Sequence, residues 1–121
     1  MSVSRKRALE YADEIVSVPR AHVRVTLRQV KEGVTLLHQG RTLTKCYINP
    51  SGMRAALFMA QALGVDVPPL GGSVDASVST GVLWRAVSIS CLDLRKRESY
   101  PILERLLDEA TMQRGSGSDS V

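Results

Sequence analysis

Cations and a few aromatic residues recur along the strand-like parts of this chain, and their side chains could bind a single-stranded nucleic acid. Such a site needs cations that follow the phosphates and aromatic rings on which bases stack. The candidate nucleic-acid-binding residues are Arg24, Arg28, Lys31, Arg41, Lys45, Tyr47 and Arg85. Because only 4% of the residues are aromatic, we do not expect tight binding by this chain alone. Trp84 precedes Arg85, but a single tryptophan is more often a core residue.

Residue types that enzymes use are present without the spacing that catalysis requires. His22 and His38 have no cysteine or carboxylate at the spacing of a metal site or a catalytic triad. Gly71 and Gly72 lack the lysine and the strand-turn-helix context of a phosphate-binding loop. We therefore expect a protein that is not an enzyme, with no catalytic residue, metal or cofactor.

Size and composition indicate one folded domain. The chain has 121 residues, 44% of them hydrophobic, and a formal net charge of +4. This length suits a single core, and the charge is compatible with an anionic partner without requiring one. We expect a frayed N-terminus over residues 1–4, one domain over residues 5–113 and a flexible tail over residues 114–121.

The two cysteines and the hydropathy pattern bear on the compartment. Cys46 and Cys91 are too few and too far apart for a disulfide scaffold or a zinc site, so we expect buried, reduced thiols. No run has the length of a transmembrane helix, and the N-terminus lacks the apolar core of a signal peptide. The default expectation is an intracellular, soluble protein without membrane contact.

The N-terminal part of the chain predicts a helix followed by three short strands. Ser4 is placed to cap a helix that ends near Val16. Residues 21–30 alternate between apolar and polar side chains, which predicts a half-buried strand with a basic outer face. Short turns lead to a second strand over residues 34–38 and a third over residues 42–48.

The segment over residues 51–67 has two interpretations. Alanine, leucine, methionine and glutamine between Met53 and Leu63 favour a helix, with Ser51 as its cap and Gly64 as its end. Both sides of the run are apolar, however, and a fully buried strand would show the same pattern. Intrinsic propensity favours the helix.

The remaining sequence predicts a loop, a strand and a helix. Small polar residues over 73–81 indicate a loop, and the residues over 82–94 are typical of a strand. Ser99 and Pro101 then open a helix that ends near residue 112. Its apolar side consists of Ile102, Leu103, Leu106, Leu107 and Ala110. This side either packs on the chain's own sheet or contacts a partner protein.

These elements predict a fold between all-β and α+β, namely a small barrel with an N-terminal helix and a C-terminal amphipathic helix. If the disputed segment is a strand, the barrel has five strands. They cover residues 23–30, 33–38, 42–48, the glycine-led 52–59, and 82–94, which leads into the helix over 102–110. This pattern resembles the single OB-fold small subunits of trimeric complexes that bind single-stranded DNA. Examples are the smallest subunit of replication protein A and the small subunit of the CST telomere complex.

The resemblance implies a function and a location. It implies a nuclear accessory subunit whose last helix docks to a larger OB-fold partner through the apolar residues named above. It also implies a modest contact with single-stranded DNA, although the sequence does not separate DNA from RNA. The alternative is a protein-protein adaptor or structural subunit of another small α+β fold, without a nucleic-acid role.

Overall fold

The described residues form an α+β fold, with one open antiparallel sheet of four strands and four helices. The computed structural model describes residues 4–18 and 22–115, the backbone alone over 110–115. The elements in chain order are α1 (Arg5–Val16), β1 (Val23–Val30), β2 (Gly33–His38), β3 (Arg41–Tyr47), α2 (Pro50–Leu63), β4 (Ser73–Val78), α3 (Thr80–Ser90) and α4 (Ser99–Gly115). The predicted five-stranded OB-like barrel is wrong, because the described residues form four strands and the sheet does not close.

The sheet has the strand order β3-β2-β1-β4, and every neighbouring pair is antiparallel. The meander of β1, β2 and β3 is confirmed, with its bounds moved by one or two residues from the predicted ones. β4 joins on the other side of β1, where Thr26 lies opposite both Leu37 and Asp75. The pairing of β2 with β3 shifts register between Leu36 and Leu37.

One face of the sheet is covered by the helices. Along β1, Val23, Val25 and Leu27 are each 1% exposed and belong to one apolar core, whereas Arg24 and Arg28 are exposed. α3 packs against α1, α2 and α4 and also contacts β3. The alternation predicted for β1 therefore separates the helix-covered face from a face that no helix of the described chain covers.

The predicted strand over residues 82–94 is wrong, because most of that segment forms α3. Ser79 caps this helix: its hydroxyl accepts a hydrogen bond from the Val82 backbone N–H at 3.2 Å. Val82, Leu83 and Val87 are all at most 1% exposed, since helices pack around α3. A largely buried helix and a largely buried strand both give a mainly apolar segment, and tertiary packing here outweighs the strand propensity of valine.

The predicted loop over residues 73–81 is also wrong, because it contains β4. Ser73, Asp75 and Ser77 alternate with Val74, Ala76 and Val78, and the second set pairs with the core-facing residues of β1. This is a strand with one polar face. The small polar residues that suggested a loop are those that point away from the core.

The disputed segment forms α2, so the helix interpretation is confirmed and the strand interpretation is wrong. The cap is Asn49 rather than Ser51: its side chain accepts from the Gly52 backbone N–H at 2.8 Å. The left-handed backbone of Gly64, with φ of 79°, ends the helix as expected. Gly52 has no room for a side chain, since a Cβ atom there would lie 1.9 Å from the Tyr47 carbonyl oxygen.

Both terminal helices are confirmed. Ser4 caps α1 by accepting from the Arg7 backbone N–H at 3.1 Å, and α4 covers the predicted helix with one or more extra residues at each end. Residues 1–3 of the predicted frayed end and residues 116–121 of the predicted tail lie outside the described residues. Among the helices that are described, none has both the length and the apolar character needed to cross a lipid bilayer.

Candidate nucleic-acid interface

The face of the sheet that lies opposite the helices is the candidate site, and we call it the open face. Its residues follow from the strand registers, because each strand alternates between the two faces. They are Arg24, Thr26, Arg28, Thr35, Leu37, Thr42, Lys45, Tyr47, Ser73, Asp75 and Ser77. The open face carries three cations and one aromatic ring, and the hydroxyl groups of Ser73 and Ser77 are exposed on it. Thr35 and Leu37, in its centre, are each only 8% exposed.

The register places the cations of different strands in one row across the sheet. Arg28 of β1 lies opposite Thr35 of β2, and Thr35 lies opposite Lys45 of β3. On its other side Arg28 lies opposite Ser73 of β4. Since neighbouring strands are about 4.8 Å apart, the row brings two cations to within roughly 10 Å at the level of the backbone. Arg24 lies four residues from Arg28 along β1, which is two repeats of the pleat, and it lies opposite Ser77.

Lys45 and Tyr47 form a contact at one end of this row. The Lys45 Nζ lies 5.3 Å from the centroid of the Tyr47 ring, within the range of a cation–π interaction. Tyr47 is 39% exposed, so much of its ring remains in contact with solvent. A phosphate at Lys45 and a base on Tyr47 could therefore be bound by neighbouring side chains of the same strand.

The charge of the open face is positive. Asp75 is the one carboxylate among its residues, and it accepts a hydrogen bond from the Thr26 hydroxyl at 2.7 Å. Arg24, Arg28 and Lys45 form no ion pair with another described residue, in contrast to Arg85 and Arg95. Arg24, Arg28 and Lys45 are thus available to an anion without first breaking a salt bridge.

Three of the predicted binding residues are not part of the open face. The Arg41 guanidinium lies 4.2 Å above the centroid of the Tyr11 ring of α1, on the helix-covered side. Arg85 belongs to α3, where it forms an ion pair with Glu109 of α4. Lys31 is exposed in the turn between β1 and β2, at the end of the sheet rather than on it.

The predicted partner-binding residues of α4 have different environments. Leu103 is 5% exposed and Leu106 is 8% exposed, and both belong to the chain's own core. Leu107 is half-buried against that core, whereas Ile102 is 40% exposed. The side chain of Ala110 lies outside the described part. Most of the described stripe therefore packs on this chain, and Ile102 is its accessible residue.

Sequence reasoning missed the contribution of β4 to the open face. The composition of residues 73–81 predicts a loop, although Ser73, Asp75 and Ser77 alternate with apolar residues at the period of a strand. That alternation was the signal that could have found them. Their hydroxyl groups and the Asp75 carboxylate border the two arginines of β1.

The two cysteines are protected by burial. Burial raises the pKa of Cys46 from its ordinary value of 9.0 to about 12, with a smaller contribution from the nearby Cys91. Burial also raises the pKa of Cys91. Both thiols are therefore protonated at neutral pH. In the described part of the chain no group of three or more His, Cys, Asp or Glu side chains could hold a metal ion.

Comparison with protein-family models, with curated proteins and with solved structures finds no significant match to this chain. The fold implied by the resemblance to OB-fold small subunits is not the fold observed. Any assignment of function therefore depends on the geometry and charge of the surfaces described above.

Proposed function

We propose that this protein binds single-stranded nucleic acid through the open face of its sheet, as an accessory subunit of a larger assembly. The observation that supports this proposal is the placement of Arg28 and Lys45 in one row across three strands, with Arg24 and Tyr47 on the same face. The proposal does not depend on a barrel, because it uses only the side of a four-stranded sheet that lies opposite the helices.

The chemistry of this face suits a flexible strand better than a duplex. Arginine and lysine attract the phosphates of a nucleic acid whatever its nucleotide sequence, and serine and threonine hydroxyls add hydrogen bonds to phosphate or sugar. The exposed Tyr47 ring offers a base a surface for stacking. A duplex keeps its bases stacked inside and would leave this ring without a role.

The small number of contacts supports an accessory rather than an independent role. Three cations neutralise about three phosphates, and one aromatic ring stacks about one base, whereas autonomous binders combine several of each. We expect a larger partner subunit to contribute most of the affinity of the assembly for single-stranded nucleic acid. The nuclear location implied by the resemblance forms part of this proposal.

The test compares two triple variants with the same net charge. Arg24→Glu, Arg28→Glu and Lys45→Glu together reverse the charge of the open face. Arg7→Glu, Arg54→Glu and Arg97→Glu together reverse three exposed cations that lie elsewhere. Binding of a fluorescent oligonucleotide of about 20 nucleotides is measured by anisotropy between about 50 and 200 mM salt.

We expect the open-face variant to lose at least about tenfold in affinity and to have a flatter salt dependence, by about two in the logarithmic slope. The control variant should lose little. Tyr47→Ala should weaken binding of the single strand by about 1–3 kcal/mol and leave any weak duplex binding unchanged. Equal losses in the two triple variants, or no binding by the wild type at low salt, would show that the proposal is wrong.

A further inference from the structure

A groove between α3 and α4 forms a second candidate surface, separate from the open face. It has a volume of about 400 Å³, in the range of ligand-binding clefts. Trp84 and Arg85 contribute from α3, Ile102 and Arg105 from α4, and Arg5 from the first turn of α1. The groove therefore lies in the helical layer, whereas the open face lies on the other side of the sheet.

The floor of the groove is apolar. Trp84 and Leu92 are half-buried there and Leu106 is buried, while Ile102 remains 40% exposed. An apolar side chain that covers Ile102 and Trp84 removes apolar surface from water, and this removal favours binding. The floor thus favours a partner that brings at least one large apolar residue.

The rim of the groove carries three arginines and, among the described residues, one carboxylate. Glu109 contacts Arg85 through the Nε atom, which occupies one of the five N–H donors of that guanidinium. Arg5 and Arg105 are exposed and have no ion pair in the described part of the chain. The charge around the apolar floor is therefore positive, and it favours an acidic partner.

We propose that this groove docks an acidic amphipathic segment of another protein. Its apolar residue would cover Trp84 and Ile102, and its carboxylates would pair with Arg5 and Arg105. Helical peptides bind grooves between helices in this manner, with apolar anchors one turn apart. The three aliphatic side chains beside Trp84 in the floor and the Glu109 carboxylate on the rim favour a peptide over a nucleic acid, whose phosphates Glu109 would repel.

The test starts from a displayed library of random peptides of about 16 residues, roughly four helical turns. We expect selection against the wild-type chain to enrich peptides that are acidic and have apolar residues at helical spacing. A synthetic enriched peptide should change the fluorescence of Trp84, the single tryptophan of the chain. Trp84 therefore reports binding in the groove itself.

Matched variants then separate the two surfaces. The double variant Arg5→Glu, Arg105→Glu should bind the enriched peptide with an affinity at least about tenfold lower than the wild type. Arg24→Glu with Arg28→Glu, on the open face, should leave its affinity within about twofold. All four positions are exposed, and thermal unfolding followed by circular dichroism checks that each variant is folded.

Several outcomes would contradict the inference. They are no enriched peptide, enriched peptides that are neutral or basic, and equal losses in the two double variants. Displacement of the peptide by a single-stranded oligonucleotide would assign the groove to nucleic acid instead. A wild-type dimer in light scattering that Arg105→Glu converts to a monomer would assign it to a second copy of the chain. None of these results depends on whether the open face binds nucleic acid.

Discussion

The two faces of the sheet differ in what they contribute, although the same strands form both. On β1, Val23, Val25 and Leu27 are buried under the helices, and Arg24 and Arg28 between them are exposed. Burial of each apolar side chain stabilises the fold by about 1.5–3 kcal/mol. An exposed cation contributes far less, because it remains solvated. Folding and the proposed binding therefore depend on alternate residues of one strand.

This separation is less sharp on α4. Leu103 and Leu106 belong to the core, and Leu106 also lies in the floor of the groove, which Ile102 and Arg105 line as well. The helix thus stabilises the fold and also contributes to a surface that a partner could contact. Substitutions on the two sides of the sheet and of α4 test how far stability and binding are separable.

The largest expected effect is on α4. Leu103→Glu with Leu106→Glu introduces two carboxylates into the core and should cost more than about 5 kcal/mol, comparable to the whole stability of a small domain. We expect no cooperative thermal transition. Ile102→Glu is the control, because this residue is 40% exposed and should change stability by less than about 1 kcal/mol. A double variant with a normal melting temperature would mean that the leucines are available to a partner instead.

A smaller effect is expected from glutamine at neighbouring positions of β1. Val25→Gln should lower the free energy of unfolding by about 3 kcal/mol or more, because it removes apolar burial and places an amide in the core. Arg24→Gln should change it by no more than about 0.5 kcal/mol. Urea unfolding measures both. Similar losses at the two positions would contradict the assignment of the two faces.

The smallest effect, on the order of 1 kcal/mol near pH 10, is the dependence of stability on alkaline pH that follows from the burial of Cys46. Its pKa is raised from 9.0 to about 12 in the folded protein, so above pH 9 the unfolded chain releases a proton that the folded chain retains. The contribution of the protonated Cys46 thiol to the free energy of unfolding is therefore fully present below pH 9, and it is lost as the pH rises towards 12. We expect the free energy of unfolding to fall more over this interval in the wild type than in Cys46→Ala. Parallel pH profiles would show that the thiol is not protected by burial.

The sequence was a good guide where local pattern and tertiary environment agreed. The alternation along β1 predicted both faces of that strand, and Ser4 and Gly64 marked one end each of α1 and α2. It failed at α3, because most of this helix is buried and its partly exposed side carries Trp84 beside Arg85 and Ser88, which weakens the polar period. It failed at β4, because the polar half of the alternation has the composition of a loop.

The candidate site was predicted in part for a similar reason. Arg24, Arg28, Lys45 and Tyr47 lie on the open face as alternation requires. Arg41 does not, because Leu36 pairs with Thr44 and Leu37 with Thr42, which leaves Leu43 as an extra residue. Strict alternation would place Arg41 on the same face as Lys45. The bulge instead turns Arg41 towards Tyr11, and nothing in the local sequence indicates it.

The position of β4 beside β1 has a consequence for how the chain folds. The Thr26 hydroxyl and the Asp75 carboxylate that it contacts are 49 residues apart in sequence, and the whole of α2 lies between them. The meander of β1, β2 and β3 closes through short turns, so its loop-closure entropy is small. Pairing of β1 with β4 is a contact of high sequence separation, the kind that slows the folding of small domains. The part of the open face on β1, β2 and β3 thus forms from local contacts. The part on β4 forms only when β4 pairs with β1, which requires the longer loop to close.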